Sequence, residues 1–356
     1  MTSKTNVIGL MSGSSLDGID LVDADFWFDG IWHFDIIAKD NVDYDETWRH
    51  RLADAFNVRT PHATSLRQLD LEYGRFLGQV TKRFIDKFHL KPEIVASHGH
   101  TIFHRPQEHY TLQIGDGQAL ANECGVTVIN DFRSEDVLKG GQGAPLVPIG
   151  DKLLFSTYPI CLNIGGIANV SYDIDNQRIA YDICIANQAL NYLSNRLSLP
   201  YDKDGIIASG GTIDYQLLAT LNSHHFYSQK YPKSLGREFF EENIKPLLEN
   251  RDDIANLMAT FVEHIAIQIG QSIDNQPVAK LLVTGGGAKN KYLVERIQAH
   301  TRHQVVVPSD DIIDYKEALV FAFLGLLRKR NEINVLRSVT GAESDSSSGK
   351  IFHPTI

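Results

Sequence analysis

A turn rich in glycine, serine and aspartate follows the first apolar segment of the chain. Its residues are Gly13, Ser14, Ser15, Leu16, Asp17 and Gly18. A turn of this composition between two strands exposes several backbone N–H groups in one concavity, and such a concavity binds phosphate oxygens. Asp17 could also hold Mg²⁺ directly or through water. Taken by themselves, these residues fit a plain polar β-turn better than a phosphate site.

Two further glycine turns could support the same chemistry. The first stands between two apolar stretches, where glycines allow a phosphate to approach the backbone closely. The second follows an apolar strand and precedes a helix, an arrangement that suits an adenosine lying against the backbone. The glycines are Gly165 and Gly166 in the first turn, and Gly285, Gly286 and Gly287 in the second. A plain hairpin turn and a tight strand-to-helix turn are the alternative interpretations.

One acidic residue stands where a general base would be held rigidly. Asp182 lies near the end of an apolar stretch with strand character, and a strand end would hold its carboxylate steadily. The alternatives are a solvated strand-end carboxylate and a cap for the helix expected to begin near Asn187. The residue pattern alone favours these alternatives.

Three other side chains could contact a polar substrate. The planar guanidinium of Arg133 suits a carboxylate, Glu317 could bond hydroxyl groups, and His98 stands at the end of a buried strand. The alternatives are a surface ion pair of Arg133 with Glu135 or Asp136, and a solvated carboxylate at a helix start for Glu317. A polar loop explains the histidines at 98, 100 and 104 better than a zinc site does, because no matching carboxylate pattern accompanies them.

The elements that must position these residues occur in one order, used twice. Each half is predicted to have a three-stranded meander, then helices, then a buried strand that ends in glycine. The first set of ranges is 7–11, 19–26 and 32–36 for the meander, 65–88 for a helix and 94–96 for the strand. The second set is 160–163, 167–172 and 178–184, then 254–273 and 280–284, followed by a helix at 291–299 and a strand at 304–307.

This repeat predicts an α/β protein with a duplicated ribonuclease-H-like core, the two-lobed organisation of actin-like ATPases and sugar kinases, with an interlobe active-site cleft. An unrelated α/β protein with a similar strand order is the alternative. A chain of 356 residues also exceeds what one core usually supports. We expect a first lobe at 1–130, to which residues 336–356 are candidates to return, and a second lobe at 131–335. The Ser- and Asp-rich stretch 343–349 is predicted to be a flexible loop or an ordered surface turn.

Composition limits the possible partners and the compartment. The formal net charge of −10 argues against non-specific binding to nucleic acid or to anionic membranes. Three cysteines in no paired spacing argue against a disulfide framework and fit a reducing compartment. The N-terminal stretch does not have the pattern of a signal peptide, and no apolar run is long enough to span a bilayer. The sequence therefore predicts a cytoplasmic protein.

Several strings resemble, in the same order, those of the anhydro-N-acetylmuramic acid kinase family. GLMSGSSLDGID is similar to the ATP-binding signature of that family, with Ser15 where Thr is typical. In the string SHGHT, His100 stands where the family has Gln. The other matching strings are QIGD, DFR, GGQGAPLVP, LNIGGIAN, KSLGRE, GGGA with Asn290, and Glu317 with Ala318. The matches run from near residue 8 to near residue 326.

The resemblance implies an ATP-dependent kinase that phosphorylates the 6-oxygen of 1,6-anhydro-N-acetylmuramic acid while water opens the anhydro ring, in cell-wall recycling. It implies a homodimer, ATP and Mg²⁺ as cofactors, Asp182 as the catalytic residue and Asp17 as a metal ligand. The implied ATP-binding residues are Gly13, Ser14, Ser15, Leu16, Asp17, Gly18, Ile19, Asp20, Asn163, Gly165, Gly166, Gly285, Gly286 and Gly287. The implied substrate residues are His98, Arg133, Asn169 and Glu317.

One segment departs from the family pattern. Ile183, Cys184 and Ile185 stand where the family usually has Thr, Gly and Pro, while Asp182 and Asn187 persist. A change from Gly to Cys at a tight turn alters the accessible backbone conformations. Two alternatives therefore stay open, which are a kinase for another amino sugar or sugar acid and a nucleotide-binding member without turnover.

Overall fold

The N-terminal part of the chain combines a strand meander with five α-helices and four further strands in the residues that the structure describes. The computed structural model describes residues 3–13, 16–57 and 63–355. The elements are β1 (Thr5–Met11), β2 (Gly18–Phe28), β3 (Trp32–Asp43), α1 (Glu46–Asn57), α2 (Ala63–Phe88), β4 (Ile94–Ser97), β5 (His100–Arg105), β6 (Tyr110–Ile114), α3 (Gly117–Cys124), β7 (Val128–Asn130), α4 (Ser134–Leu138) and α5 (Pro148–Leu153).

A second meander follows and is succeeded by a helical region and two more strands. The elements are β8 (Ile160–Ile164), β9 (Ile167–Ile174), β10 (Gln177–Ile185), α6 (Asn187–Asn195), α7 (Ile206–Ser209), α8 (Tyr215–Asn222), α9 (His225–Ser228), α10 (Arg237–Phe239), α11 (Lys245–Leu248), α12 (Ile254–Ile273), β11 (Lys280–Thr284), α13 (Lys291–Ala299) and β12 (Gln304–Val306). The chain ends with α14 (Asp310–Lys329), α15 (Arg337–Thr340) and β13 (Lys350–Phe352).

The same strand order occurs in both large sheets. One sheet has the order β13-β7-β4-β1-β2-β3, and the other has the order β10-β9-β8-β11-β12. In each, an antiparallel meander is extended by a parallel strand beside its first member, since β4 pairs with β1 and β11 pairs with β8. The central strands β1 and β4 are largely buried, as expected for strands covered on both faces. The duplicated core predicted from the sequence, and with it the actin-like fold class, is confirmed.

The division of the chain differs from the predicted boundary at residue 131. One compact unit contains Met1–Phe155 together with Tyr315–Ile356, and the other contains Ser156–Asp314. We call them the first unit and the second unit. The segments 131–155 and 315–335 therefore belong to the first unit, in which β13 adds an antiparallel strand to β7. The long separation in sequence between β7 and β13 hides this pairing from local pattern reading.

The stretch 343–349 is more ordered than its composition suggests. Ser346 and Ser348 are buried, and the backbone N–H of Ser348 donates to Oδ1 of Asn334 at 2.7 Å. The side chain of Asn334 in turn donates to the carbonyl of Ser348 at 2.8 Å. Residues 343–345 are exposed, which agrees with the alternative of an ordered surface turn, whereas buried hydrogen bonds stabilise Ser346 and Ser348 in place of apolar contacts.

No helix within residues 3–13, 16–57 and 63–355 is both long and apolar enough to cross a lipid bilayer.

Close packing of α14 against β1 requires a glycine in the first unit. A Cβ atom on Gly9 would lie 2.0 Å from the carbonyl oxygen of Ala318 and 2.8 Å from the backbone nitrogen of Ala322. Both obstacles are backbone atoms of α14, so the helix itself would have to move away from the strand. Gly9 therefore sets the distance between this helix and the central strand.

We predict that Gly9→Ala destabilises the protein by about 1–3 kcal/mol, because it forces the helix and the strand apart. A fall of several degrees in the thermal midpoint, measured by circular dichroism, is the expected result. Gly210→Ala is the matched control, since a Cβ there approaches no atom closer than 3.6 Å and the backbone is already right-handed helical. Equal midpoints for the two variants would contradict the argument.

Candidate functional site

A row of polar residues crosses the sheet of the second unit near one end of its strands. In the strand register, Asp182 of β10 lies opposite Asn169 of β9, Asn169 lies opposite Asn163 of β8, and Asn163 lies beside Thr284 of β11. Directly opposed residues project from the same face of a sheet. Three of the predicted site residues, Asp182, Asn163 and Asn169, therefore form one continuous polar row, and Thr284 extends it.

The carboxylate of Asp182 is held through one of its two oxygens. Its Oδ2 accepts a hydrogen bond from the backbone N–H of Leu235 at 2.8 Å, and its backbone N–H donates to the carbonyl of Lys233 at 3.1 Å. Burial raises the pKa of Asp182 above the ordinary aspartate value, and the Leu235 hydrogen bond opposes that shift. Among the described residues, Oδ1 accepts no hydrogen bond. The carboxylate is therefore oriented and keeps one oxygen for another partner.

The turn at Gly165 and Gly166 is held against the start of α6. The carbonyl of Gly166 accepts the backbone N–H of Ala186 at 2.8 Å, and the carbonyl of Gly165 accepts that of Asn187 at 3.1 Å. The side chain of Asn187 donates to the carbonyl of Ile164 at 3.1 Å. This places the turn, the polar row and the N-terminus of a helix at the same end of the strands.

Asn187 is the residue that sequence reasoning left out of the site, although its position at a helix start was a signal.

The glycines of the second unit differ in what they are needed for. A Cβ on Gly165, Gly166 or Gly286 would come no closer than 3.6 Å to a neighbouring atom, which is an ordinary van der Waals contact, so the protein's own packing does not require glycine there. A Cβ on Gly285 would lie 2.6 Å from Oδ1 of Asn163, and one on Gly287 would lie 2.3 Å from Cγ2 of Ile164. Gly285 also has a left-handed φ of 79°. Packing thus explains Gly285 and Gly287 and leaves the other three glycines without a packing reason.

The glycine turn between β1 and β2, residues 13–18, is only partly described. We call it the first glycine turn. Ser14 and Ser15 lie outside the described residues, so their predicted roles stay predictions. Leu16 adopts a left-handed φ of 59°, and the exposed Asp17 accepts the backbone N–H of Gly18 through Oδ1 at 3.1 Å. A Cβ on Gly18 would lie 2.6 Å from the carbonyl of Val42, so pairing with β3 accounts for this glycine.

The remaining residues of the N-terminal signature have different environments. Gly13 is partly buried next to the end of β1. Ile19 has no exposed surface and packs in the core of the first unit, so its side chain cannot touch a nucleotide. Asp20 accepts a hydrogen bond from the side chain of Asn41 at 2.8 Å and is partly exposed. Of these three residues, Ile19 is the one whose side chain is fully buried in the core.

Arg133 is a cation whose hydrogen-bond partners are all neutral. Its Nε and Nη2 donate to Nε2 of His98 at 3.0 and 2.9 Å, and its Nη1 donates to the carbonyl of Gly143 at 2.7 Å. Burial lowers the pKa of Arg133 to about 10, with Glu317 and Asp136 acting in the opposite direction. The group stays charged at neutral pH, and in the part of the chain that the structure describes it donates only to neutral acceptors. A largely buried charge without an ion pair is costly, which favours a role in binding an anion.

His98 supports this arginine and was predicted to contact substrate itself. Arginine only donates, so Nε2 of His98 must accept and its proton lies on Nδ1, which donates to the carbonyl of Gly99 at 3.0 Å. Burial, followed by the neighbouring Arg133, holds the pKa of His98 well below its ordinary value. Neutral His98 is therefore engaged with the protein through both ring nitrogens.

Glu317 lies on α14 in the same unit as Arg133. Its side chain is exposed, yet loss of surrounding water raises the pKa of its carboxyl, while Arg133 and Lys316 act to lower it. These two facts describe a carboxyl that solvent reaches from one side only. Glu317 and Arg133 are close enough to influence each other electrostatically without forming an ion pair, so both remain available to a polar ligand.

The departure from the family pattern is explained by packing. Ile183, Cys184 and Ile185 are all buried in the core of the second unit, and the register of β10 against β9 shifts between Asp182 and Cys184. The bulge lets three consecutive side chains enter the core directly after Asp182. Where the family pattern would give a turn, this chain continues the strand to Ile185.

The described residues could bind Mg²⁺ only if a bound nucleotide supplied further ligands. In the described ranges, no three His, Cys, Asp or Glu side chains converge as a metal site. Asp17 and Asp20 each bring a carboxylate to the first turn, and phosphate oxygens and water would have to complete an octahedral set. The histidines predicted not to bind zinc have separate partners, since His98 bonds Arg133, His100 bonds Ser12 and His104 bonds Thr111.

Comparisons with known proteins show the family of this chain. Residues 5–354 match the family model described as Anhydro-N-acetylmuramic acid kinase. The chain is similar to the Anhydro-N-acetylmuramic acid kinase of Mannheimia succiniciproducens, with 34% identity over 98% of this chain and 99% of the relative. The protein of the same name from Pasteurella multocida is 35% identical over 97% and 96% of the two chains. A solved gluconate kinase from Lactobacillus acidophilus aligns with a TM-score of 0.46 at 11% identity, over 99% of this chain and 94% of that chain. The chain belongs to the anhydro-N-acetylmuramic acid kinase family.

Proposed function

We propose that this protein is an ATP-dependent anhydro-N-acetylmuramic acid kinase. The substrate is 1,6-anhydro-N-acetylmuramic acid, and the product is N-acetylmuramic acid 6-phosphate, formed in peptidoglycan recycling. The relatives that match nearly the whole chain carry this name. The observation that carries the proposal is Asp182, whose oriented carboxylate continues a polar row beside glycines that the protein's own packing does not require.

Asp182 acts as the general base in this proposal. The reaction needs a carboxylate to take a proton from water as that water attacks the anomeric carbon of the sugar. The bond from this carbon to the 6-oxygen breaks, and the 6-oxygen takes the phosphoryl group. Leu235 holds Oδ2 of Asp182, so Oδ1 is the atom that receives the proton. Burial raises the pKa of Asp182, which makes it a better base than an ordinary aspartate.

The backbone of the glycine turns holds the nucleotide. When bound, ATP supplies the phosphoryl group and Mg²⁺ neutralises charge on the phosphates. Gly165, Gly166 and Gly286 let the backbone approach the ligand without a side chain in between, and Asn163 and Asn187 can orient it. In the first unit, Gly13, Asp17 and Asp20 are the described residues that would bind phosphates and the metal.

The sugar is oriented mainly by residues of the first unit. Arg133 provides a charged guanidinium whose described partners are neutral, which suits the lactyl carboxylate of the substrate. Glu317 accepts hydrogen bonds from sugar hydroxyls, His98 holds Arg133 in place, and Asn169 extends the polar row toward the substrate.

We also propose that the protein works in the cytoplasm as a homodimer and that it binds neither nucleic acid nor membranes. The net charge of −10 supports the absence of attraction to other polyanions. The dimer rests on the resemblance to the family alone.

A kinase for another amino sugar or sugar acid is the second candidate, and a nucleotide-binding member without turnover is the third. Both are favoured by Ile183, Cys184 and Ile185, which replace the Thr, Gly and Pro of the family beside the base. Mass spectrometry of products from a panel of anhydro and free sugars separates the first two candidates. Binding of ATP without any product would support the third.

We predict that Asp182→Asn lowers kcat/KM by about 10²–10⁴-fold, because the amide cannot accept the proton, while binding of an ATP analogue persists. An assay coupled to ADP release measures this loss. In the wild type, activity should fall with decreasing pH around a pKa above the ordinary aspartate value, since the base must be ionised. Asp175→Asn is the matched control, because it removes the same charge from the turn at the other end of the β9–β10 hairpin, where the left-handed φ suits Asn. Comparable losses in both variants would refute the assignment.

We predict that Gly286→Ala keeps the thermal midpoint but raises KM for ATP about ten-fold or more, since the methyl group occupies the space left for the nucleotide. Gly285→Ala should instead lower the midpoint by several degrees, because its Cβ would overlap Asn163 and its φ is left-handed. Differential scanning fluorimetry and initial-rate kinetics measure the two effects. The reverse pattern would show that Gly286 has a packing role and no ligand beside it.

We predict that Arg133→Lys weakens use of 1,6-anhydro-N-acetylmuramic acid by about 10-fold or more, because lysine cannot replace the planar fork. The measurement compares this sugar with 1,6-anhydro-N-acetylglucosamine, which lacks the lactyl carboxylate. The wild type should prefer the carboxylate-bearing sugar, and the variant should lose most of that preference. An unchanged ratio of kcat/KM for the two sugars would show that Arg133 does not bind the carboxylate.

A further inference from the structure

A chain of four buried polar groups runs beside the first glycine turn. Oγ of Ser12 lies 2.6 Å from the hydroxyl of Tyr44 and 2.8 Å from Nδ1 of His100, and the hydroxyl of Tyr44 also bonds that of Tyr73. All four side chains are buried, and the rings of Trp48 and Phe76 pack around the two tyrosines. Hydrogen bonds in such an apolar surrounding are strong, and a member left without a partner is costly.

The terminal members of the chain are Tyr73 and His100. Tyr73 has no exposed surface, its hydroxyl bonds that of Tyr44, and Ser12 also interacts with it. Oγ of Ser12 bonds Nδ1 of His100, and burial lowers the pKa of His100 to about 4, so its ring is neutral at neutral pH. The three hydroxyls and the imidazole therefore satisfy one another in a buried environment.

Tyr44 connects both described flanks of the turn. Its hydroxyl bonds Ser12 on the N-terminal side, and its backbone N–H donates to the carbonyl of Asp17 at 3.2 Å on the C-terminal side. Ser12 directly precedes Gly13, and Asp17 directly precedes the glycine that begins β2. Tyr44 therefore joins the two flanks, in addition to the pairing of Met11 with Asp20 between β1 and β2, and its hydroxyl is oriented by Ser12 and Tyr73.

We propose that the chain Tyr73–Tyr44–Ser12–His100 positions Gly13 and Asp17, the described flanks of the first glycine turn, for nucleotide phosphates, with Tyr44 and His100 as positioning residues. This inference rests on the proposed function, because it gives these flanks a nucleotide to bind. His100 stands where the family has Gln, and here its Nδ1 bonds Oγ of Ser12. None of the four groups needs to touch the sugar.

The test compares two variants that each remove one hydroxyl from adjacent rings. Tyr44→Phe removes the hydroxyl that bonds both Ser12 and Tyr73, so we expect the Kd for a non-hydrolysable ATP analogue to rise about ten-fold or more. Tyr73→Phe removes the hydroxyl at the buried end of the chain and leaves the bond between Ser12 and Tyr44, so it should change this Kd by less than about two-fold. Isothermal titration calorimetry gives the Kd, and initial rates give KM for ATP and for the sugar separately.

A second pair of variants, both at His100, separates the loss of a hydrogen bond from a general loss of folding. His100→Gln keeps an amide that can accept from Ser12 and should retain analogue binding near the wild-type value, whereas His100→Leu should weaken it as Tyr44→Phe does. Equal effects within either pair, or a change in KM for the sugar alone, would overturn the proposal. Because analogue binding is measured without turnover, absence of kinase activity in the wild type would refute the proposed function and leave this test valid.

Discussion

The strand register of the second sheet is the constraint on which the candidate site depends. Side chains alternate between the two faces of a strand, so a slip of one residue in β9 or β10 would turn Asp182 toward the core. The pairing of Asp182 with Asn169, and of Asn169 with Asn163, excludes this slip. The bulge directly after Asp182 then sends the following residues into the core. One short stretch of β10 thus supplies both the reactive carboxylate and the packing that holds it.

Arg133 in the first unit donates to neutral partners among the described residues, and this has a consequence for binding. His98 and Gly143 orient Arg133 without cancelling its charge, and Gly143 is itself held by Asp136, which accepts its backbone N–H at 2.8 Å. Asp136 also accepts the hydroxyl of Thr340 at 2.7 Å. The C-terminal segment therefore helps to support the arginine from a distant part of the sequence. An arginine supported in this way is pre-organised, so less binding energy is lost in ordering it.

Glycines in this protein illustrate two different physical demands. Gly9 and Gly287 allow one part of the backbone to pack against another part of the protein, and Gly285 adds a left-handed backbone conformation. Gly166 and Gly286 meet neither demand within the protein. A glycine run in a sequence does not separate these cases, because the separation depends on atoms that are remote along the chain.

The sequence by itself determined the elements with strong local patterns and the family. The bounds of α12, β11 and α13 agree with their predicted ranges because the apolar periodicity and the flanking caps of these segments are local. The same holds for the order of the elements and for the glycine turns. Only the tertiary structure decided the division into units, the support of Arg133 by His98, the core position of Ile19 and the burial of Ser346 and Ser348. Each of these depends on contacts between residues far apart in sequence, and local propensity carries no information about such contacts.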